Sequence, residues 1–365
     1  MKAFGYYDAD TVGLMDFAPM PECTPYGAIL RPVAMAPCTS DVHNVFEKFS
    51  PTRKPRGWVL GHEAVGEIVQ VGEKVVDFKV GEIVAVPAIT PDWRDRGVQE
   101  HNFTHPKGTP FSGQRLCKSH PGVFGEFFLM EDADTSLARI PEGVSIDQAL
   151  MCVDMVATGF TGAKFADIQF GDKVCVIGIG PVGLMAVAAA KLSGAAEIYA
   201  VGSRSNCVKL AKEYGATHII NYKNGDIVQQ VLELTGGRGV DATIIAGGGD
   251  EVFAQAIEMT CYGKGVISNV NYFGKADCLH IPKLSLGRGM GGKTIHTELA
   301  QGGRVWAERL MAMVACGRFD PSKLITHRFE GFDSIEEALF LMRDKPDDLI
   351  KAVVYVDWEK ENAAK

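Results

Sequence analysis

Two textures of hydrophobic patterning divide the chain. In its first part the apolar residues come in short β-branched runs closed by glycine, proline or charge: Ala28–Ala34, Ala64–Val71 and Glu82–Val86. Such runs predict strands. From about 87 to 122, proline, glycine, histidine and charged residues follow with little periodicity, and a loop of that length in a compact domain is functional or an insertion. Beyond residue 158 the pattern changes to alternation. Lys173–Ile177 reads as an apolar strand, followed by a glycine-rich turn and the helical run Leu184–Leu192. Strands are predicted over Glu197–Val201, His218–Ile220, Asp241–Ala246 and Gly265–Val270, separated by helices over Ser205–Tyr214, Ile227–Leu234 and Val252–Met259. Alternation at this spacing predicts stacked βαβ units and a parallel, doubly wound sheet. The pattern ends near 296, and a helix (Arg304–Ala315), a loop (Asp320-Pro321-Ser322), a helix (Ser334–Met342) and a strand (Ile350–Val356) follow. The fold class expected is α/β: a nucleotide domain over 158–296 inserted between two segments, 1–157 and 297–365, of a β-rich domain. No internal repeat appears.

Composition narrows the function classes. The 365 residues suggest about two domains at roughly 150 residues each. With 46% hydrophobic and 22% charged residues, wholesale disorder is excluded. The net charge is −8 and no Lys/Arg block stands out, which disfavours nucleic acid or an anionic membrane as partner. The N-terminal Met1–Asp8 reaches acidic residues before an apolar core forms, so no secretory signal is expected. The uncharged stretch between Lys173 and Lys191 falls short of a span and holds three glycines and a proline. Nine scattered cysteines without a Cys-x-x-Cys pair fit a reducing compartment, and a cytoplasmic location is expected.

The glycine-rich turn Gly178-Ile179-Gly180-Pro181-Val182-Gly183 follows a predicted strand and opens a predicted helix. That context suits a dinucleotide: the first glycine permits the turn, the second admits a pyrophosphate, and the third lets the helix approach the strand. The second strand ends in Val201-Gly202-Ser203-Arg204, where an NAD site would carry a carboxylate. Arg204 can pair with a 2′-phosphate, Ser203 can donate to it, and Gly202 removes bulk, so NADP is favoured over a reading of Arg204 as a solvated helix start.

Three separated segments offer metal ligands: Cys38 in Pro37–His43, His62 with Glu63, and Asp154 after Cys152. Thiolate, imidazole and carboxylate are a set zinc accepts. Singly, each has a plain alternative: Cys38 a buried small residue, His62 a loop histidine, Asp154 a helix cap. Nothing in the sequence brings them together in space.

The segments Cys38–His43, Gly61-His62-Glu63-Ala64-Val65-Gly66, Pro87–Trp93, the turn at 178–183, Gly202-Ser203-Arg204, Asn269–Gly274 and Asp344-Lys345-Pro346 carry a resemblance over nearly the whole chain. The sequence resembles the zinc-containing medium-chain alcohol dehydrogenases, and within them the microbial NADP-dependent secondary alcohol dehydrogenases. The resemblance implies a Rossmann domain inserted into a GroES-like catalytic domain. It implies reversible hydride transfer between small secondary alcohols or ketones and NADP(H). It also implies a homotetramer.

By the same resemblance, Cys38, His62 and Asp154 hold a catalytic zinc with Glu63 as a fourth or exchanging ligand. Ser40 and His43 relay the proton; otherwise they read as a helix N-cap and an exposed helix residue. Ser203, Arg204, Tyr222 and Lys345 hold the 2′-phosphate, although Tyr222 also reads as a half-buried strand end and Lys345 as part of a solvated charge run. Ile179, Gly180, Pro181 and Val182 line the pyrophosphate turn, and Val270, Asn271 and Tyr272 the nicotinamide side. Ala88, Ile89 and Leu299 are candidates for the substrate pocket, with core packing as the alternative. Many relatives carry a four-cysteine structural zinc loop. Between Pro87 and Gly122 this chain has only Cys117, so no structural zinc is expected, and His101, His105 and His120 read as surface histidines, with a replacement metal site as the alternative. The rival readings are a zinc-free quinone reductase, a polyol or amino-alcohol dehydrogenase, and a protein that binds NADPH without chemistry.

Overall fold

The structure, a computed structural model, describes residues 1–8, 11–46, 54–274 and 277–363. The chain divides into two compact units, Met1–Asp154 with Gln301–Lys365, and Met155–Ala300.

The first unit opens with the antiparallel hairpin β1 (Ala3–Tyr6) and β2 (Val12–Met15). Its main sheet is built from β3 (Ala28–Met35), β4 (Ala64–Val71), β5 (Ile83–Val86), β6 (Phe128–Met130) and β7 (Ala138–Arg139). Two strands near the C-terminus complete it, Ile325–Glu330 and Lys351–Tyr355, the latter antiparallel to β3. Met35, Ile68, Val86, Phe124, Phe332, Leu339 and Val354 belong to one buried cluster, so the last residues of the chain share a core with the first strands. Burying such side chains stabilises by roughly 1.5–3 kcal/mol each. The long segment after β5 contains a single four-residue helix, Arg96–Gln99, and is otherwise turns and loop held by backbone and side-chain hydrogen bonds.

The second unit is the expected α/β layer. Its strands are β8 (Lys173–Ile177), β9 (Glu197–Val201), β10 (His218–Ile220), β11 (Ala242–Ile245), β12 (Val266–Asn269) and β13 (Thr294–Thr297), all parallel, in the order β10-β9-β8-β11-β12-β13. Counting β8 as the first strand, this is the 3-2-1-4-5-6 order of a dinucleotide fold, with its reversal between β8 and β11. Continuous apolar runs mark strands covered on both faces: Val174–Ile177 and Ala242–Ile245 are buried throughout.

The expected helices and strands of this unit recur to within about two residues or less, apart from an earlier start for the helix Pro181–Leu192, whose first residue is proline at N1. Several elements were not legible: the hairpin β1–β2, the edge strand Ile325–Glu330 and the continuous helical run Ile146–Phe165. The edge strand alternates half-buried and exposed residues, Ile-Thr-His-Arg-Phe-Glu, and the histidine and arginine mask its period. The predicted loop Asp320-Pro321-Ser322 is instead the start of a 3-10 turn, Pro321–Leu324, capped by the Asp320 carboxylate accepting from Ser322 N–H.

Candidate metal centre and nucleotide turn

Four side chains from distant parts of the first unit converge. Cys38 precedes the helix Thr39–Phe46; His62 and Glu63 lead into β4; Asp154 lies in the run Ile146–Phe165. Gly61 makes the second placement possible. Its φ is +90°, and a Cβ there would fall 2.3 Å from the Phe124 ring, so no other residue could turn the chain into His62 at this spot. Asp154 depends on an irregularity. Residues Cys152–Val156 form a π-helical turn inside an otherwise α-helical run, a feature frequent at functional sites. The Val153 carbonyl of that turn accepts from Ala88 N–H at 3.1 Å, which ties the segment after β5 to it. Asp154 therefore sits within a wound segment and is not the helix cap of the plain reading.

One ligand atom from each of Cys38, His62, Glu63 and Asp154 can be chosen so that all lie within 4.8 Å of one another. Cys38 Sγ is 3.8 Å from Asp154 Oδ2, and His62 Nε2 is 3.5 Å from the same oxygen and 4.0 Å from Glu63 Oε1. A tetrahedral zinc with bonds of about 2.0–2.3 Å spaces its donors about 3.3–3.8 Å apart. The Cys38–Asp154 and His62–Asp154 pairs meet that spacing, and the His62–Glu63 pair stands slightly outside it. Glu63 Oε2 is buried with no hydrogen-bond partner. The residues fit the metal.

Two of these side chains have shifted proton affinities. Burial opposes a charge on His62, but the Asp41 carboxylate and hydrogen bonds to Asp154, Asp41 and Cys117 outweigh it and raise the pKa well above the ordinary value. Burial pushes Glu63 up to about 7, against the pull of Lys351. Zinc requires both groups without their protons.

Three residues of the site escaped sequence reasoning. Asp41 is fully buried; its Oδ2 accepts from Cys38 N–H at 2.9 Å and its Oδ1 lies 3.3 Å from His62 Nδ1. It thus orients two ligands at once, the outer-shell role that fixes a histidine's tautomer. A carboxylate three residues after Cys38, on the first turn of a short helix, was the available signal. Cys117 donates to the Gly61 carbonyl and joins Asp41 behind His62. Lys351 Nζ donates to Glu63 Oε1 at 2.7 Å, both side chains being wholly buried. Lys351 opens an apolar strand, where a lysine reads as a solvated strand end, so nothing local signalled it.

Ser40 Oγ lies 3.3 Å from His62 Nε2, at the metal corner, and His43 follows one turn later on the same helix. Ala88 and Ile89 are buried in the first unit, and Leu299 is partly exposed in the second. The loop histidines serve local contacts: His105 Nδ1 accepts from Phe111 N–H, His101 packs edge-on against Phe103, and His120 Nδ1 meets Ser119 Oγ. The groups of metal-capable side chains found among the described residues include none of the three.

In the second unit, the turn after β8 begins at Gly178, whose φ is +88°. Gly180 is the N-cap of the helix Pro181–Leu192 and has open space where a Cβ would stand. A Cβ on Gly183 would fall 1.7 Å from the Gly178 carbonyl oxygen, so the helix approaches the strand only with glycine there. Ile179 is buried, and Pro181 and Val182 form the first helical turn. Beyond β9, Ser203 Oγ donates to Tyr222 Oη at 2.7 Å, with Arg204 beside them as N-cap of the helix Ser205–Tyr214. Gly202 has a second reason to be glycine: a Cβ would lie 2.1 Å from Ile179 Cγ1. At the end of β12, Val270 N–H donates to the Ile245 carbonyl, Asn271 Nδ2 donates to Gly248 O, and Tyr272 is half exposed. Lys345 belongs to the first unit, where it ends the helix Ile335–Asp344 in a left-handed conformation, φ +46°.

Comparison with known proteins agrees with this arrangement. Residues 24–142 match the family model of the alcohol dehydrogenase GroES-like domain, and residues 181–295 that of the zinc-binding dehydrogenases. The chain is 52% identical to the NADP-dependent isopropanol dehydrogenase of Thermoanaerobacter brockii over 97% of its own length and 99% of that protein's. The protein of the same name from Entamoeba histolytica is 51% identical, over 94% and 93%. Among solved structures, an alcohol dehydrogenase from Thermus sp. ATN1 superposes with a TM-score of 0.84 at 26% identity, covering 98% of this chain and 100% of that one. A converging cysteine, histidine and aspartate, a doubly wound sheet with a nucleotide turn, and these matches place the chain in the family of zinc-containing medium-chain alcohol dehydrogenases, beside its NADP-dependent secondary alcohol members.

Proposed function

We propose that this chain transfers hydride reversibly between small secondary alcohols or ketones and NADP(H), as an isopropanol dehydrogenase. The observation that carries the reading is the convergence of Cys38, His62, Glu63 and Asp154 within 4.8 Å in a chain that also holds the nucleotide turn. It argues against a zinc-free reductase, which would need no such set, and against a protein that only binds NADPH.

When bound, zinc supplies Lewis acidity toward the substrate oxygen and NADP supplies the hydride acceptor. Cys38, His62 and Asp154 hold the metal. Asp41 keeps the Nε2 of His62 turned toward it by facing Nδ1. Ser40 Oγ, at that corner, accepts the alcohol proton, and His43 passes it outward along the same helix. In the first unit Ala88 and Ile89, both buried, are the candidates for the small apolar pocket. In the nucleotide unit Gly178 to Gly183 and the helix N-terminus take the pyrophosphate, while Val270, Asn271 and Tyr272 border the nicotinamide side. Gly202, Ser203, Arg204 and Tyr222 receive the 2′-phosphate.

Among the described residues no helix is long and apolar enough to cross a membrane. A cytoplasmic, homotetrameric enzyme is the reading we carry forward. β13 is an edge strand, and Tyr262, Leu284 and Met290 of the same unit are exposed at 60%, 66% and 85%. A sheet edge and exposed apolar side chains on the same unit support association with further copies.

The test is the initial rate of NADPH formation with 2-propanol before chelation, after it and after zinc is restored, alongside the zinc content. Activity lost and regained in step with zinc is expected. Turnover without bound zinc would return the chain to the zinc-free reductases, and faster turnover of sorbitol or threonine to the polyol or amino-alcohol dehydrogenases.

A further inference from the structure

The buried ion pair between Lys351 and Glu63 has no part in the relay or in nucleotide binding. Both side chains are wholly inaccessible, and removing two charges from water costs several kcal/mol per ion unless the surroundings compensate. The surroundings here are the metal ligands. Glu63 uses one oxygen, Oε1, for the 2.7 Å contact with Lys351, and that same oxygen is 4.0 Å from His62 Nε2. Its other oxygen, Oε2, is buried with no hydrogen-bond partner. The carboxylate is thus shared between a fixed cation and the metal corner, and satisfied fully by neither.

Charge balance explains why a cation stands there. Cys38 and Asp154 as anions, with neutral His62, cancel a divalent metal, and Glu63 then cancels Lys351. Should Glu63 join the metal, the metal site gains one negative charge and Lys351, still adjacent, neutralises the whole. The balance among these five groups and the metal is the same either way, with Asp41 a further buried carboxylate facing His62 Nδ1 in both states, so moving Glu63 on or off does not change the charge of the interior. With a cation absent, the carboxylate would have only the metal to turn to.

We propose that Lys351 is a positioning residue that competes with the metal for the Glu63 carboxylate, and so sets how firmly zinc is held and how readily its fourth position opens to substrate. This rests on the zinc dehydrogenase reading above. The strand Lys351–Tyr355 and its place beside β3 fix the ammonium, so the competition is built into the sheet and not into a mobile loop.

The test is the rate of zinc release to a chromophoric chelator, measured without substrate or nucleotide, for wild type, Lys351→Met, Glu63→Gln and the double variant. Lys351→Met is expected to slow release about tenfold, the scale on which outer-shell partners alter metal affinity. The same change in the Glu63→Gln background is expected to have little effect. In turnover, Lys351→Met lowers kcat, because Glu63 then occupies the position substrate needs, while the KM for NADP is unchanged. Zinc release at the wild-type rate or faster in Lys351→Met, or an equal change in both backgrounds, would overturn the proposal. If Lys351→Met does not fold, Lys351→Gln, which removes the charge and keeps a polar head, is read in its place, with slower zinc release of the same sign and smaller size expected and wild-type or faster release overturning the proposal. Wild-type protein that takes up no zinc would overturn the zinc dehydrogenase reading as well, whereas a normal zinc site indifferent to residue 351 would overturn this inference alone.

Discussion

The nucleotide turn and the metal corner are built on opposite principles. The turn is made of backbone: Gly180 leaves room, Gly183 allows the helix to approach the strand, and the helix Pro181–Leu192 begins there, all within the six residues 178–183. The metal corner is made of side chains brought from positions 38, 62, 63 and 154, backed by 41, 117 and 351, with every placement depending on the assembled sheet. A backbone site tolerates changes of side chain but not of shape. A side-chain site tolerates small changes of shape, provided that each donor and its supporting partner remain.

That contrast can be broken by experiment, beginning with His62→Ala. Loss of zinc and a fall of about 1,000-fold or more in turnover are expected, since Lewis-acid stabilisation is worth several kcal/mol. NADPH binding, followed by its fluorescence, should persist; its loss would show that the two sites are not independent. Next in size is Ser40→Ala, expected to lower turnover about 100-fold with zinc content unchanged. Wild-type turnover in that variant would remove Ser40 from the relay. Arg204→Leu tests the other region. Losing a charge-assisted contact should raise the KM for NADP about tenfold or more and leave zinc and the KM for NAD untouched. A companion change toward NAD by Gly202→Asp alone is expected to fail, because the new Cβ meets Ile179; enlarging residue 202 needs a smaller residue at 179.

The smallest effect is one of pH. In the metal-free protein His62 and Glu63 both bind their protons more firmly folded than unfolded, Glu63 at about 7 in place of its usual 4.5. The folded state then binds more protons, so the stability of stripped protein falls as pH rises through that range. Zinc needs the same protons gone and holds better at higher pH. The Tm gap between loaded and stripped protein should therefore widen by a few degrees between about pH 5 and about pH 8. A constant gap would mean that these groups do not exchange protons for the metal.

How much of this was legible follows from the same contrast. The turn at 178–183 could be read because glycine spacing is local and the flanking strand and helix have their own periods. The α/β alternation came through for the same reason. At the metal corner, resemblance named the ligands, but the residues themselves did not say that Cys38 and Asp154 stand 3.8 Å apart. Asp41 gave a faint signal by its spacing from Cys38. Lys351 gave none, since its neutralising partner is 288 positions away. The strand Ile325–Glu330 was hidden by polar residues on a half-exposed edge.

The π-turn at Cys152–Val156 carries a consequence of another kind. An α-helix advances about 100° per residue, and a wider turn spends extra residues over the same rise. Asp154 faces its fellow ligands because of how many residues precede it in that turn as much as because of what they are. A substitution at Val153 could be absorbed by repacking. Deleting Cys152 or Val153, the two residues of the turn that precede Asp154, would swing the carboxylate by about 100° about the helix axis, away from Cys38 and His62. Here the length of the chain, counted residue by residue, is itself part of what brings Asp154 to Cys38 and His62.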